Sequence, residues 1–352
     1  MHPYSNLPEK AFWRTAVADK SFFDIRGLWS PKFEITAQTP TITFGSCFAQ
    51  HFGHALQDRG FSWLETERAP RELSPENARR FNYGLFSCRT GNIYTTSLLL
   101  QWLRWASGAV VPPEEYWEKD GRIYDPFRPN IEPEGFATVD EMRQMRQVTV
   151  DALVRAVRRA GLFVFTLGLT ESWFNREHGY EYPMCPGTVA GVFDETNHLF
   201  MAQDFGFIAD SLRSAIAIIR KINPAIKVLL TVSPVPLTAT NSGAHVLVAS
   251  SLSKSILRAV TGQITRELDF VDYFPSFEII NSPVYRGAFF EPNLRGVNPA
   301  GVALVMKNFF HDLGDIQAEK PPQGAPEAID DSQAAICEEE MLAAFSIKGD
   351  NA

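Results

Sequence analysis

Thr41-Ile42-Thr43-Phe44-Gly45-Ser46-Cys47 is the stretch from which the fold of this 352-residue chain is first predicted. Its first four residues are β-prone and largely apolar, which predicts a short strand. Gly45 permits a tight turn. Residues 47–59 then have the apolar spacing of a helix, carried by Phe48, Phe52, Ala55 and Leu56. A strand, a glycine and a helix in this order open a βα unit.

Three further apolar runs predict buried strands, at 162–167, 227–232 and 270–274. Such runs suit a parallel sheet that is covered on both faces. Helical spacing appears around them, at 93–108, 140–160, 207–222, 251–268 and 299–312. This alternation predicts an α/β fold, a three-layer α/β/α sandwich around a parallel sheet.

We divide the chain into an N-terminal arm (1–40), one domain (41–314) and an acidic, partly disordered tail (315–352). Within the domain, proline-rich residues at about 110–139 form an insertion.

Right-handed crossovers put the carboxyl ends of the strands at one edge of the sheet, where ligands bind. The segments that follow the four strands are therefore expected to converge there, at 45–50, 168–175, 233–250 and 275–298.

Charge and hydropathy exclude several classes of partner. Lys plus Arg number 33 and Asp plus Glu 41, which gives a net charge of -8 without any basic run. A nucleic-acid partner is therefore not expected. No apolar stretch approaches the length of about 18 residues that a membrane span requires. Because the first residues show no signal-peptide pattern, we expect a cytoplasmic protein.

Cysteine and histidine spacing gives no support for a metal or a cofactor. The four cysteines, at 47, 88, 185 and 337, are far apart, so neither a zinc site nor a disulfide framework is expected. No glycine-rich loop of the nucleotide-binding kind follows a strand. We therefore expect no cofactor and no metal. The oligomeric state is not indicated by the sequence.

Ser46 and Cys47 are the first candidates for chemistry. A thiol at a helix N-terminus lies in the positive end of the helix dipole, which favours the thiolate. Backbone N–H groups at the same place can stabilise a developing oxyanion. The alternative is structural: Ser46 caps the helix and Cys47 packs as a small hydrophobic residue.

These residues spell GSCFA at 45–49, and the chain is identified as a member of the GSCFA family over about residues 40–310. The resemblance also covers FNYG at 81–84, FTLGLTESW at 165–173, TVSPVP at 231–236, SKSILR at 253–258 and YFPSFEI at 273–279.

The family resembles a branch of the SGNH/GDSL hydrolases, which implies a flavodoxin-like sandwich and action on esters, often acyl groups of sugars. Matching Gly45 to the superfamily glycine puts Cys47 at the nucleophile position, with Ser46 as the alternative if the turn is shifted by one residue. Thr170 then stands where the superfamily has an oxyanion-hole asparagine, and Gly84 is the match for its second donor. The neighbouring Glu171 is a substrate-site candidate or a structural carboxylate.

The largest departure from the superfamily concerns its Asp-x-x-His block. Asn298 stands at the histidine position, and neither Asn293 nor Arg295 is an acid. Asparagine accepts no proton at neutral pH, so a Ser-His-Asp triad cannot be assembled there. His245 and His198, in predicted active-edge loops, are the candidate replacement bases. A thiolate at Cys47 would need less help from a base.

Three weaker candidates lie along the same edge. Cys185 has two interpretations. It is either a thiol that could form a disulfide with Cys47 in a redox reaction, or a thiol packed inside the protein. Lys254 and Arg258 are either a binding site for an anionic group of a ligand or part of a solvated helix face. Trp173 and Phe174 stack on a sugar ring, or pack in the core.

Two functions follow from these residues and from the resemblance. The first is an ester hydrolase or acyltransferase for acyl groups, for example acetyl, on a carbohydrate or polyol. Its partner is then a small-molecule or glycan substrate, attacked at the Gly45-Ser46-Cys47 turn. The alternative is a catalytically degenerate glycan-binding or scaffold protein, favoured by the missing histidine block.

Overall fold

The computed structural model describes residues 2–314 and 338–347 and contains three β-sheets. The strands are β1 Thr41–Gly45, β2 Trp117–Lys119, β3 Arg122–Tyr124, β4 Leu162–Leu167, β5 Glu171–Asn175, β6 Glu181–Tyr182, β7 His198–Ala202, β8 Lys227–Val232 and β9 Val271–Tyr273. The α-helices are α1 Phe48–Asp58, α2 Pro75–Arg80, α3 Thr96–Ala106, α4 Val139–Arg159, α5 Phe205–Ile222, α6 Val246–Glu267, α7 Ser276–Asn281 and α8 Pro299–Asp312.

The central sheet is parallel, with strand order β1-β4-β8-β9. Gly45 at the end of β1 is paired with Thr166 of β4, and Thr166 with Thr231 of β8. On the free side of β1, Trp63 forms a parallel bridge with Thr41. All four sheet strands lie where the apolar runs predicted them.

Helices cover both faces of this sheet, which confirms the predicted three-layer α/β/α sandwich. Alternating residues such as Phe44 and Phe163 point to one face, where they pack with the buried sides of α3, α4, α5 and α6. Val164 and Leu229 point to the other face and pack with α1 and α8. Each strand is therefore buried on both sides, as its continuous apolar sequence requires.

Helix α6 begins five residues before its predicted start at 251. The imidazole Nδ1 of His245 accepts a hydrogen bond from the backbone N–H of Leu247 at 3.2 Å and so caps the helix. Leu247 and Val248 are exposed in the first turn, which breaks the apolar periodicity that the prediction used. His245 is therefore a helix cap and not a residue of a free loop.

Residues 173–205, whose turn formers and lack of clear periodicity predict a loop, contain strands instead. Strands β6, β5 and β7 form an antiparallel sheet in that order beyond the carboxyl end of β4. These strands are two to five residues long and lie among turn formers, so their alternation is too short to stand out. The insertion likewise contains a hairpin, β2 and β3.

A buried ionic cluster holds the insertion against the domain. The carboxylate of Asp125 accepts hydrogen bonds from Arg128 at 2.8 Å and from Arg146 at 2.8 Å. Arg128 also donates to Thr149 at 2.6 Å, and its side chain is fully buried. The two guanidinium groups outweigh the effect of burial and lower the pKa of Asp125.

The segment before β1 packs along β9, the last strand of the central sheet. Trp29 Nε1 and the backbone N–H of Lys32 both donate to the Asp272 carboxylate, at 3.0 and 2.9 Å. The ammonium group of Lys32 donates to the carbonyl of Val271 at 3.0 Å. Trp29 is also stacked on Phe309 of α8.

The predicted tail at 315–352 lies outside the described residues except for 338–347. There, Met341 packs against the core on the α3–α6 face. Within the described ranges, none of the helices combines the length and the apolar character that crossing a membrane requires.

Replacing Asp125 by alanine is expected to destabilise the protein strongly, because it leaves Arg128 and Arg146 buried without their carboxylate. Losing one partner of a buried ion pair costs about 3–5 kcal/mol. Asp210→Ala is the control, since that side chain is 82% exposed beside Arg213, and we expect a change within about 0.5 kcal/mol. Urea unfolding measures both. Equal effects of the two substitutions would contradict the role given to the cluster.

Glu181 of β6 makes stability depend on pH. Burial raises the pKa of Glu181 from 4.5 to about 7. The folded protein therefore binds this proton more tightly than the unfolded chain, and stability is lost as pH rises from about 4.5 to 7. One pKa unit corresponds to about 1.4 kcal/mol. We therefore expect Glu181→Gln to lose roughly 2–3 kcal/mol less unfolding free energy than the wild type between pH 4.5 and pH 8.

The test compares urea unfolding of the wild type and the variant at both pH values. Subtracting the pH dependence of the variant from that of the wild type removes the contribution of other groups, such as His51. Burial lowers the pKa of His51 to about 4, which acts in the opposite direction. Glu177→Gln, at an exposed carboxylate on the same side of the fold, is the matched control. An unchanged pH dependence in Glu181→Gln would contradict the assignment.

Candidate active site

The turn after β1 depends on a glycine. Gly45 has φ +136°, and a Cβ added there would lie 2.3 Å from the carbonyl oxygen of Thr166. The next residue, Ser46, donates its backbone N–H to the same carbonyl at 3.1 Å. Only glycine therefore lets the end of β1 run so close to β4, and the chain enters α1 directly above this contact.

Ser46 lies at the bottom of the turn. Its side chain is 3% exposed, and among the described residues its Oγ has no hydrogen-bond partner. It packs against the end of β4, since a Cβ added at Gly168 would lie 3.1 Å from the Cβ of Ser46. A buried hydroxyl without a base in contact is a poor nucleophile.

Cys47 is more accessible than its neighbour. It immediately precedes α1 and is half-buried. Its side chain packs against a small apolar cluster of Tyr94, Leu169, Leu237 and Ala249, contributed by segments after different strands. The thiol thus lies at the N-terminal end of α1, where helix amides and the dipole favour an anion.

Residues 92–94 cross this edge of the sheet. Helical spacing predicted 93 and 94 as the start of a helix, but α3 begins only at Thr96. The N–H of Ile93 donates to the carbonyl of Gly45 at 2.8 Å, and the carbonyl of Tyr94 accepts from Gly168 and Leu169. Asn92, just before them, is buried. A signal existed in the Thr90-Gly91-Asn92 sequence, whose glycine has φ +69°.

Gly84, the predicted second oxyanion donor, lies against other partners. Its backbone hydrogen-bonds with the side chains of His54 and Glu65. The segment that hydrogen-bonds to the Gly45 turn is therefore 92–94. Gly84 instead contacts His54 of α1 and Glu65.

Lys254 points into the site and not into solvent. The residue is 5% exposed, and its Nζ donates to the carbonyl of Gly168 at 2.7 Å. This puts a buried positive charge one residue from the Leu169 that packs on Cys47. Arg258, one turn later, forms an ion pair with Glu278 and stacks on Tyr273. The solvated face expected for α6 thus does not include Lys254.

Each of the two candidate histidine bases has a local structural contact. His245 is exposed and caps α6 through Nδ1. His198 accepts the N–H of Asp194 at 3.0 Å and packs on Tyr182 and Phe193. Burial lowers the pKa of His198.

Asn298 caps α8. Its Oδ1 accepts the N–H of Gly301 at 2.9 Å, and its Nδ2 donates to the carbonyls of Ala288 and Phe290. These bonds use its donor and acceptor groups in fixing the helix start. Nearby, Arg295 donates to the carbonyl of Pro236 at 3.2 Å, which ties this loop to the one after β8.

A pocket of about 240 Å³ opens beside the apolar cluster that contacts Cys47, beyond the carboxyl ends of β4 and β8. Its wall is mostly apolar and includes Leu169, Glu171, Ser172, Trp173, Pro183, Met184, Cys185, Phe200, Leu237, Ala239, Thr240, Asn241 and Leu342. Parallel α/β sheets bind ligands at this edge.

Three predicted site residues lie at or near the pocket. Glu171 accepts the hydroxyl of Thr240 at 2.7 Å, and burial raises its pKa. Thr170 is buried, with its carbonyl bonded to the N–H of Gln203. Trp173 lines the pocket, whereas Phe174 is buried against Phe207.

Cys185 lies in the pocket wall as a free thiol. Burial raises its pKa to about 11. A thiol that stays protonated at neutral pH attacks or resolves a disulfide slowly. In the part of the chain that the structure describes, groups of three or more His, Cys, Asp or Glu placed to hold a metal are absent.

A family model places the chain among known sequences. The model of the GSCFA family matches residues 40–309. The chain belongs to the GSCFA family. The matched region of this GSCFA protein begins just before β1 and ends in α8, so it contains the Gly45 turn, the pocket and the Asn298 cap. Neither a curated protein nor a solved structure gives a significant match.

Gly45→Ala is expected to destabilise the protein by about 3 kcal/mol or more, because overlap with the Thr166 backbone adds to the strain of positive φ. Gly60→Ala separates the two effects, since Gly60 has φ +73° and open space around its Cα. We expect about 1 kcal/mol there. Urea unfolding of both variants gives the comparison. Equal losses would mean that the close approach at Gly45 is relieved at no cost.

Proposed function

We propose that this GSCFA protein is an ester hydrolase or acyltransferase whose nucleophile is the thiol of Cys47. The observation that carries the proposal is the position of this half-buried thiol at the start of α1, in an apolar cluster that also borders the pocket. Ser46 is the less suitable atom, because its Oγ is buried without a partner among the described residues.

The proposed reaction has two steps. The Cys47 thiolate forms a bond to the acyl carbon of an ester, and the carbonyl electron pair moves to oxygen. When the tetrahedral intermediate collapses, the carbon–oxygen bond to the alcohol breaks, and the alkoxide takes a proton from water. Water or a hydroxyl acceptor then attacks the thioester, loses its proton to solvent and releases the thiolate.

Fixed charges support this chemistry without a histidine. The amides of the first turn of α1 are oriented for negative charge. The buried ammonium of Lys254, bonded to the carbonyl of Gly168, adds a positive charge at the carboxyl end of β4. Positive charge and a helix N-terminus around a thiol both favour its thiolate form. Loss of the histidine block and use of cysteine are therefore compatible.

The substrate class follows from the family resemblance and remains part of the proposal. Acyl groups on a carbohydrate or polyol are the expected substrates. Trp173 offers an aromatic surface at the pocket, where it packs edge-on against Phe193 and Phe200. Aromatic rings of this kind can contact the apolar face of a sugar.

One observation favours the second function, a binding protein without turnover. Asn298 stands where a base is expected and is occupied as a helix cap. A protein that kept the pocket but lost the reaction would show the same arrangement.

The nucleophile is tested with p-nitrophenyl esters and acetylated oligosaccharides. We expect Cys47→Ala to lower kcat/KM at least 10³-fold, which is on the order of the loss when a covalent nucleophile is removed. Ser46→Ala is the matched control and is expected to keep activity within about tenfold, because it removes a buried atom from the same turn. Rates and the fraction of folded protein are measured together.

Other results assign the site differently. Loss of activity in Ser46→Ala but not in Cys47→Ala would move the nucleophile by one residue. No turnover of any ester by the wild type, with glycan binding unchanged in Cys47→Ala, would favour the binding protein.

A further inference from the structure

We infer that the pocket beside Cys47 is a binding site for an aliphatic acyl chain, so that the preferred acyl group is longer than acetyl. This inference rests on the proposed function, because it names the substrate class of the same site. It departs from the acetyl group that the sugar-ester resemblance suggests.

The first argument is continuity between the thiol and the pocket. Leu169 and Leu237 belong both to the cluster that packs on Cys47 and to the pocket wall. An acyl group with its carbonyl carbon at the Cys47 sulfur would therefore run along these two leucines. Its chain would then reach the pocket along apolar side chains.

The second argument is that three polar side chains of the wall, those of Glu171, Ser172 and Thr240, form hydrogen bonds within the protein. Glu171 accepts the hydroxyl of Thr240 at 2.7 Å. Ser172 accepts the side-chain amide of Gln203 at 2.9 Å. The remaining wall is dominated by apolar side chains, such as Trp173 and Phe200. A ligand placed there gains chiefly by removing apolar surface from water.

The third argument is size. The volume of about 240 Å³ lies below the range of about 300–1,000 Å³ typical of sites for drug-sized molecules. A single aliphatic chain fits such a space better than a fused ring system or an oligosaccharide. The sugar or polyol part would then remain outside the pocket.

Chain-length dependence tests the inference. We measure kcat/KM for p-nitrophenyl acetate, butyrate, hexanoate and octanoate. Burying one methylene contributes about 0.8 kcal/mol, which is about fourfold in kcat/KM. We expect more than a tenfold rise from butyrate to hexanoate and a plateau once the pocket is full.

A bulky side chain at the pocket wall provides the structural test. Ala239→Trp is expected to lower the hexanoate-to-acetate ratio of kcat/KM at least tenfold. Ala239 is exposed, so the protein should tolerate the new ring. Ala244→Trp, also exposed and in the same loop but outside the wall, is the matched control and should leave the ratio unchanged. Equal rates for all four esters, or equal loss with acetate and hexanoate in Ala239→Trp, would overturn the inference.

Binding of free carboxylates separates this inference from the proposed function. We expect sodium octanoate to bind at least tenfold more tightly than sodium acetate in calorimetry, and Ala239→Trp to remove the difference. Octanoate binding without ester turnover would retain the acyl-chain site and reject the enzyme. Ester turnover with no preference for octanoate would retain the enzyme and reject the acyl-chain site.

Discussion

The contact between Gly45 and the backbone of Thr166 fixes the geometry of the candidate site. Any side chain at Gly45 would overlap the neighbouring strand, so the end of β1 comes as close to β4 as two backbones allow. This approach directs the chain upward into α1 and leaves Cys47 at the edge where the other loops meet. The turn is thus set by backbone packing, before any catalytic group is considered.

Around that turn, backbone hydrogen bonds and a buried lysine hold the loops together. The carbonyl of Tyr94 accepts hydrogen bonds from the N–H groups of Gly168 and Leu169, which follow β4. The ammonium of Lys254 donates to the carbonyl of Gly168. These bonds hold the segments after β1, β4 and β8 in register with one another. The proposed reaction through a preoriented thiolate would depend on such rigidity more than on a mobile base.

Much of the fold could be predicted from the sequence, because the central strands are apolar on both faces and recur between amphipathic helices. The runs 162–167 and 227–232 coincide with β4 and β8. The antiparallel strands β5–β7 could not be predicted, since two to five residues give too little alternation. The start of α6 was missed because its first turn exposes Leu247 and Val248.

The site was predictable only in part, for physical reasons. Local pattern correctly favoured a strand–glycine–helix turn, because glycine and helix spacing are encoded within a few residues. The burial of Lys254 depends on where the loop after β4 passes, which no local pattern contains. The bonds of segment 92–94 to Gly45 and Gly168 likewise arise from tertiary packing. The roles of Cys47, His245 and His198 stay predictions.

The contacts of Trp29 and Lys32 with β9 have a consequence for behaviour in solution. An outermost strand offers open carbonyl and amide groups to which another molecule can add a strand of its own. The ammonium of Lys32 donates a hydrogen bond to the outward carbonyl of Val271. The carboxylate of Asp272 accepts hydrogen bonds from Trp29 and from the backbone N–H of Lys32. The segment before the domain therefore covers part of this strand edge, which hinders edge-to-edge association through β9.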